Sequence, residues 1–142
     1  MALYALLGQT LRITSRPKHP VSTKIALINE TGDKALMTVL PFGYGLPGGH
    51  IEGSEHPDVA LERELFEELG VKKGDYTNVV HRDFIRADER ILLMYSGQMA
   101  ENTPLKLDPA EVSDVIWVSR SDIESGKIPP GKYPDYLLTI LN

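Results

Sequence analysis

The sequence predicts an α/β sandwich, and three observations carry that reading. Runs of β-branched and apolar residues at 21–29, 34–40, 76–86, 90–99 and 115–118 read as strands. One long segment, 57–69, reads as a helix in their midst, and helical patterns return after the last strand, so the two kinds of element share one chain. The length, 142 residues, is enough for a sizeable core and is expected to form a single domain over residues 1–142.

Composition narrows the function classes. At 42% apolar and 25% charged the chain has ordinary soluble character. Without cysteine there is no disulfide, no thiolate metal site and no cysteine nucleophile. Residues 1–7 are mildly apolar but lack a basic leader and are too short for a signal peptide or membrane span, so a cytoplasmic protein is expected. A net charge of −5 with no basic patch speaks against a nucleic-acid surface.

The elements follow in chain order. Residues 9–15 alternate, with Leu11 and Ile13 against Thr10, Arg12 and Thr14, as a half-buried strand does. The 16–20 loop holds two prolines that exclude regular pairing, and its His19 is expected to be exposed. Strands 21–29 and 34–40 are joined by a hairpin turn at 30–33; Lys24 on the first could touch a phosphate, with a solvated strand lysine the favoured reading. Residues 41–49 form a glycine-rich loop that lets backbone approach a ligand and frees carbonyls from pairing. Its Tyr44 is open to two readings, a ring stacked on a base or one packing the loop.

Pro57 suits a first helical position, Asp58 complements the positive end of the helix dipole, and Gly70 supplies a left-handed residue to close the helix. At 100° per residue, Glu64, Glu67 and Glu68 share one sector. Leu61, Leu65 and Leu69 lie to one side and Val59 and Phe66 on the far side, so both flanks are expected to be buried. Seven acids between Glu52 and Glu68 face one base, Arg63; this segment alone carries −6 and the rest of the chain sums to +1. Hard oxygen ligands on one face suit Mg²⁺ or Mn²⁺, with substrate phosphates completing the shell.

After a polar turn at 72–75, strands 76–86 and 90–99 flank a turn at 87–89. Of His81, Arg82, Arg86 and Arg90, Arg86 is the foremost candidate for contact with a phosphate, although a solvated strand position fits each of them. The polar loop 100–111 delivers Glu111 just before a strand whose Trp117 reads as core. A capping box over Ser121, Asp122, Ile123 and Glu124 predicts a short helix ended by Gly126, and residues 134–141 fit a terminal helix with Tyr136, Leu137, Ile140 and Leu141 available for packing.

One spacing is far more specific than the rest. Gly49, five residues, Glu55, seven residues, Arg63-Glu64-Leu65, one residue, Glu67-Glu68, one residue, Gly70-Val71 matches the Nudix box at every specified position. A chance match is rarer than about one in a hundred million per starting position. The chain therefore resembles the Nudix hydrolases.

The resemblance implies a Nudix-type α/β/α sandwich with a mixed β-sheet, and divalent-metal-dependent attack of water on a diphosphate. By position, Glu64, Glu67, Glu68 and the carbonyl of Gly48 look like metal ligands for Mg²⁺ or Mn²⁺, with Glu64 also a candidate base. Arg63 and Glu55 look like an orienting pair, and Glu111, with Asp88 and Glu89 behind it, is the candidate for a later acid that reaches metal or water. The implied partner is a small-molecule nucleoside diphosphate derivative; no membrane is expected, and a homodimer is left open. A non-catalytic nucleotide-binding or regulatory module on the same fold is the competing reading, disfavoured because every box acid is present. A prenyl diphosphate isomerase on a related fold would resemble that family in its cysteine chemistry, which is missing. ADP-ribose hydrolases often show a proline about 16 residues past the box, and diadenosine polyphosphate hydrolases a tyrosine in that region; Arg86 and Ala87 stand there. A nucleoside triphosphate or nucleotide sugar is what elimination leaves, and Tyr44 and Arg86 are the substrate-binding candidates.

Overall fold

The computed structural model describes residues 19–142. The strand expected at residues 9–15, and most of the loop before His19, lie outside the described residues. From His19 onward the strands are β1 (Val21–Ile28), β2 (Lys34–Leu40), β3 (Gly43–Gly45), β4 (Gly48–His50), β5 (Thr77–Ala87), β6 (Arg90–Gln98) and β7 (Asp114–Ser119). The helices are α1 (Pro57–Leu69), α2 (Arg120–Glu124) and α3 (Lys132–Leu138).

The strands form one mixed sheet. Its main path runs β3-β2-β1-β6-β5, with β4 also paired to β1 and β7 to β2. β1 and β6 are parallel, Val21 facing Ile91 through Ile28 facing Gln98, while the other pairs are antiparallel. A parallel central pair needs cover on both faces, and its strands should be apolar throughout. β1 satisfies this by alternation: Ile25 and Leu27 join the cluster beneath α1, with Leu36, Leu61, Leu65 and Leu69, whereas Ala26 joins the opposite cluster, with Met37, Met94, Ile123, Tyr136 and Leu137 from the α2–α3 side. The result is the expected α/β/α arrangement.

Helix α1 begins and ends as its residues direct. Pro57 occupies the first turn after His56, whose ring accepts from the Asp58 N–H, and Gly70 closes the helix at φ 71° with its N–H donating to the Phe66 carbonyl. The expectation of two buried flanks needs correction. Leu61, Leu65 and Leu69 are buried, but Val59 is 53% and Phe66 60% exposed. A helix laid on one sheet has one apolar partner, and its far side faces solvent.

Three further boundaries differ from expectation. The 41–49 segment is not wholly loop, because its glycines let β3 pair with β2 and β4 with β1. The capping box of α2 sits two residues earlier: Ser119 accepts from the Asp122 N–H at 3.2 Å and its own N–H donates to the Asp122 carboxylate at 3.0 Å. β7 leaves Ser119 already extended, at φ −94° and ψ 167°, so the chain turns there. α3 starts at Lys132 instead of Pro134, since a proline is tolerated in the first turn, where no N–H has a partner. Leu141 lies past the helix yet is buried.

The packing makes a direct forecast about two adjacent residues. Leu65→Ala should lower stability by about 2–5 kcal/mol through the cavity it leaves, whereas Phe66→Ala should change it by less than about 0.5 kcal/mol. Urea melts of both variants beside the parent chain check this.

Candidate functional site

The site is built where α1 lies across β4. β4 pairs with β1, placing Gly48 opposite Lys24, Gly49 opposite Thr23 and His50 opposite Ser22. This close approach requires glycine. At Gly48, φ is 129°, and a Cβ would lie on the Thr23 carbonyl; at Gly49 a Cβ would come within 2.6 Å of the Glu64 carboxylate.

Arg63 gathers the acids. Its guanidinium holds Glu55 through two bonds, Nε to Oε2 at 3.1 Å and Nη2 to Oε1 at 2.7 Å. Nη1 donates to Glu64 Oε1 at 3.0 Å and Glu67 Oε1 at 2.8 Å, and Nη2 also reaches the His50 carbonyl at 3.0 Å. Paired this way, Glu55 titrates at about 2, well below the usual carboxylate range, chiefly through its bonds to Arg63. Arg63 and Glu55, expected from the sequence to pair, are therefore in contact. It is anchored to β4 by the His50 bond.

Glu64, Glu68 and Glu111 converge, each offering an oxygen within 4.8 Å of the others. Glu67 lies outside this group; its carboxylate is turned to Arg63 and its side chain is 49% exposed. The Gly48 carbonyl, also expected to serve as a ligand, accepts from the Lys24 ammonium at 3.1 Å, and the Leu46 carbonyl does so at 3.2 Å. Lys24 is thus not a solvated strand lysine. Its ammonium is taken up by these two carbonyls of the β3–β4 segment.

Burial dominates the electrostatics. Glu68 is pushed up to about 7 by desolvation, helped by Glu64 and Glu111, against the Gly48 N–H, which donates to it at 2.8 Å, and the charge of Lys24. Glu64 is raised too, again mainly by burial, with Arg63 opposing. Lys24 is lowered by burial, with Glu68 and Glu64 pulling it back.

Glu111 reaches the group because its loop is pinned to the end of α1. The Lys106 N–H donates to the Leu69 carbonyl at 2.8 Å and the Asp108 N–H to the Glu68 carbonyl at 3.2 Å, filling acceptors that a helix end leaves open. The Asp108 carbonyl then accepts from the Glu111 and Val112 N–H groups, and Val112 is buried. The other candidates fall elsewhere. Asp88 and Glu89 sit at the β5–β6 turn outside the carboxylate group, and Arg86 is exposed on β5. Tyr44, 37% exposed, lines a groove with Phe42 and Tyr133. Lys24, for which the sequence favoured a solvated position over a phosphate contact, is bound instead to two carbonyls beside the site. Its signal was a charge on the central strand; the pairing that brings Gly48 opposite it is not visible in sequence.

An all-carboxylate donor set without imidazole or thiolate fits a hard divalent cation. Such a cation would be held by Glu64, Glu68 and Glu111.

The chain also shares its fold with known proteins. A family model described as the NUDIX domain matches residues 18–137. No curated protein matches it in sequence. Among solved structures, a NUDIX-family hydrolase from Clostridium perfringens superposes with TM-score 0.65 at 19% identity, over 87% of this chain and 95% of that one. An Ap4A hydrolase from C. elegans gives 0.65 at 17%, over 84% and 93%. A MutT structure, from work on Aliivibrio salmonicida and Vibrio cholerae, gives 0.62 at 18%, over 86% and 95%. These three share the fold. No helix among the described residues is long and apolar enough to cross a membrane.

The raised Glu68 fixes a sign for stability. In chelator, the folded chain takes up a proton at Glu68 near pH 7, while the unfolded chain waits until about 4.5. Stability should therefore rise as pH falls from 7 to 4.5, and be lost again as pH climbs through 7. Glu55 acts only below that window, since its lowered value delays protonation of the folded form. Thermal melts in chelator across this range should show the rise in the parent chain and a flatter profile in Glu68→Gln.

The family model matches most of the chain, and the box is complete, with Arg63, Glu64, Glu67 and Glu68 on α1: the chain belongs to the Nudix family and is a pyrophosphohydrolase of the Nudix type.

Proposed function

We propose that residues 1–142 act as a single domain that hydrolyses a phosphoanhydride bond in a nucleoside diphosphate derivative, with Mg²⁺ or Mn²⁺ held by Glu64, Glu68 and Glu111. Nudix enzymes in general use divalent metal and act on such compounds. The observation that supports this ligand set most is the convergence of those three carboxylates beside a backbone that glycine alone allows so close. A nucleoside triphosphate or a nucleotide sugar is the substrate read from the sequence.

The residues divide the work. Bound there, the cation supplies positive charge to the non-bridging phosphate oxygens and makes a water easier to deprotonate. Glu64, held through Oε1 by Arg63, is the candidate base for the attacking water. Arg63, fixed by Glu55 and by the His50 carbonyl, keeps Glu64 in one orientation. Lys24 offsets the charge of Glu68 and ties β1 to the carbonyls of Leu46 and Gly48. A phosphate is the leaving group, so no covalent intermediate with the protein is needed.

A panel of nucleoside diphosphate derivatives, scored for released products, tests this directly. Turnover should appear with Mg²⁺ or Mn²⁺, be poor with Ca²⁺, and vanish in chelator; full rate in chelator would overturn the metal assignment. Glu64→Gln and Glu68→Gln should each lower turnover about 100-fold or more. Glu62→Gln, at a residue paired with Lys73 at the surface, should leave it nearly unchanged.

A further inference from the structure

Lys24 is a positive charge set into the middle of the sheet. It stands on β1 between Thr23 and Ile25, both fully buried, and β1 is paired there with β4 and with β6. A cation in such a place needs fixed acceptors. The ammonium has two, the Leu46 carbonyl at 3.2 Å and the Gly48 carbonyl at 3.1 Å, so these bonds take no oxygen from the carboxylate group. Gly48 is engaged at both ends: its N–H donates to Glu68 at 2.8 Å while its carbonyl accepts from Lys24. One residue thus separates ammonium from carboxylates, and Lys24 interacts through space with both Glu68 and Glu64.

A backbone carbonyl is a hard oxygen of the kind a divalent cation takes, and the ammonium closes this one to such an ion. Since the hydrogen bond is 3.1 Å long, a cation about 2.1 Å from the Gly48 oxygen would lie within about 5 Å of the Lys24 nitrogen. Like charges at that separation repel by several RT even at the effective dielectric of a protein surface. Net charge points the same way. When ionised, the three carboxylates together with Lys24 leave two negative charges, while Arg63 is spent on Glu55. A single divalent cation cancels them.

We propose that Lys24 is a resident cation of the site: its ammonium keeps the Gly48 carbonyl out of metal coordination and limits the protein, before substrate binds, to one divalent ion on Glu64, Glu68 and Glu111. The inference rests on the hydrolase reading above and adds the number of ions and the residue that fixes it. In a two-metal site the second ion stabilises charge on the reacting oxygens. Here a lysine that cannot dissociate supplies part of that charge, and any further ion arrives with the phosphates of the substrate. Lys24 is a positioning residue in this scheme, because it acts through the carbonyl and the carboxylates.

Counting ions tests this without turnover. Mn²⁺ is titrated into the protein without substrate and followed by electron paramagnetic resonance, above the pH at which Glu68 titrates. The parent chain should bind one Mn²⁺. Lys24→Met, which fills similar space with neither charge nor donor, should bind two, and the pair should show the magnetic coupling of ions about 3.5–4 Å apart. Lys24→Arg, which restores charge and donors, should return to one. Lys24→Gln keeps a donor for one carbonyl without the charge; it should also bind a coupled pair, and it serves as the test if Lys24→Met does not fold. A single ion in the uncharged variants overturns the proposal, as does a coupled pair in the parent, a second ion without coupling, or two ions in Lys24→Arg. The carboxylate assignment is judged separately: it fails, and the proposal with it, if the parent binds no Mn²⁺ or if Glu68→Gln binds the ion as tightly as the parent.

Discussion

One guanidinium constrains the whole site. Arg63 is the only base among the acids of the box, and its donors are spent on Glu55, Glu64, Glu67 and the His50 carbonyl. A planar fork can hold a carboxylate in a fixed plane, which a lysine at the same place could not do. By pairing Glu55 and drawing Glu67 aside, Arg63 leaves Glu64 and Glu68 as the helical acids that face Glu111. Lys24 supports them from the opposite side, through the carbonyls of the adjoining strand. Among the described residues two cations, Arg63 and Lys24, stand by these carboxylates, and burial outweighs them at Glu64 and Glu68.

The rest of the fold brings these groups to one place. A parallel central pair fixes β1 with cover on both faces, so Lys24 projects from a rigid strand. The short β4 then carries Gly48 and Gly49 against it, with no side chain to push Glu64 away. Packing of Leu61, Leu65 and Leu69 sets the roll of α1 on the sheet, and that roll decides where the carboxylates point. Stability and site geometry thus share the same leucines.

Much of this was legible in the residues. Helix α1 had a proline at its start, a glycine at its end and leucines at helical spacing, so local signals agreed with tertiary packing. The hairpin of β1 and β2 was equally clear. Which acids meet was less so, because helical periodicity gives an angle around the axis and says nothing of the rotamer. Glu67 shares the sector of Glu64 and Glu68 but is captured by Arg63, and Glu111 comes from a loop whose placement depends on hydrogen bonds to the end of α1. Lys24 was misjudged for a related reason: strand alternation assigns a face, not the segment lying over it. Val59 and Phe66 looked like a second buried flank, since an apolar residue carries no mark of whether a partner layer exists. At Ser119 and Ser121 two overlapping capping patterns competed, and the end of β7 decided between them.

The loop that carries Glu111 has a thermodynamic consequence. It is fastened through the carbonyls of Glu68 and Leu69, groups held in place for it only while the last turn of α1 is formed. Fraying of that turn would release the loop and Glu111 with it. Occupancy of the site and integrity of the helix end are then linked functions. A ligand that needs all three carboxylates stabilises the final helical turn by mass action, and a better-formed turn raises the affinity for that ligand by the same factor. An acid delivered by a loop thereby gains some of the order of one carried on a helix.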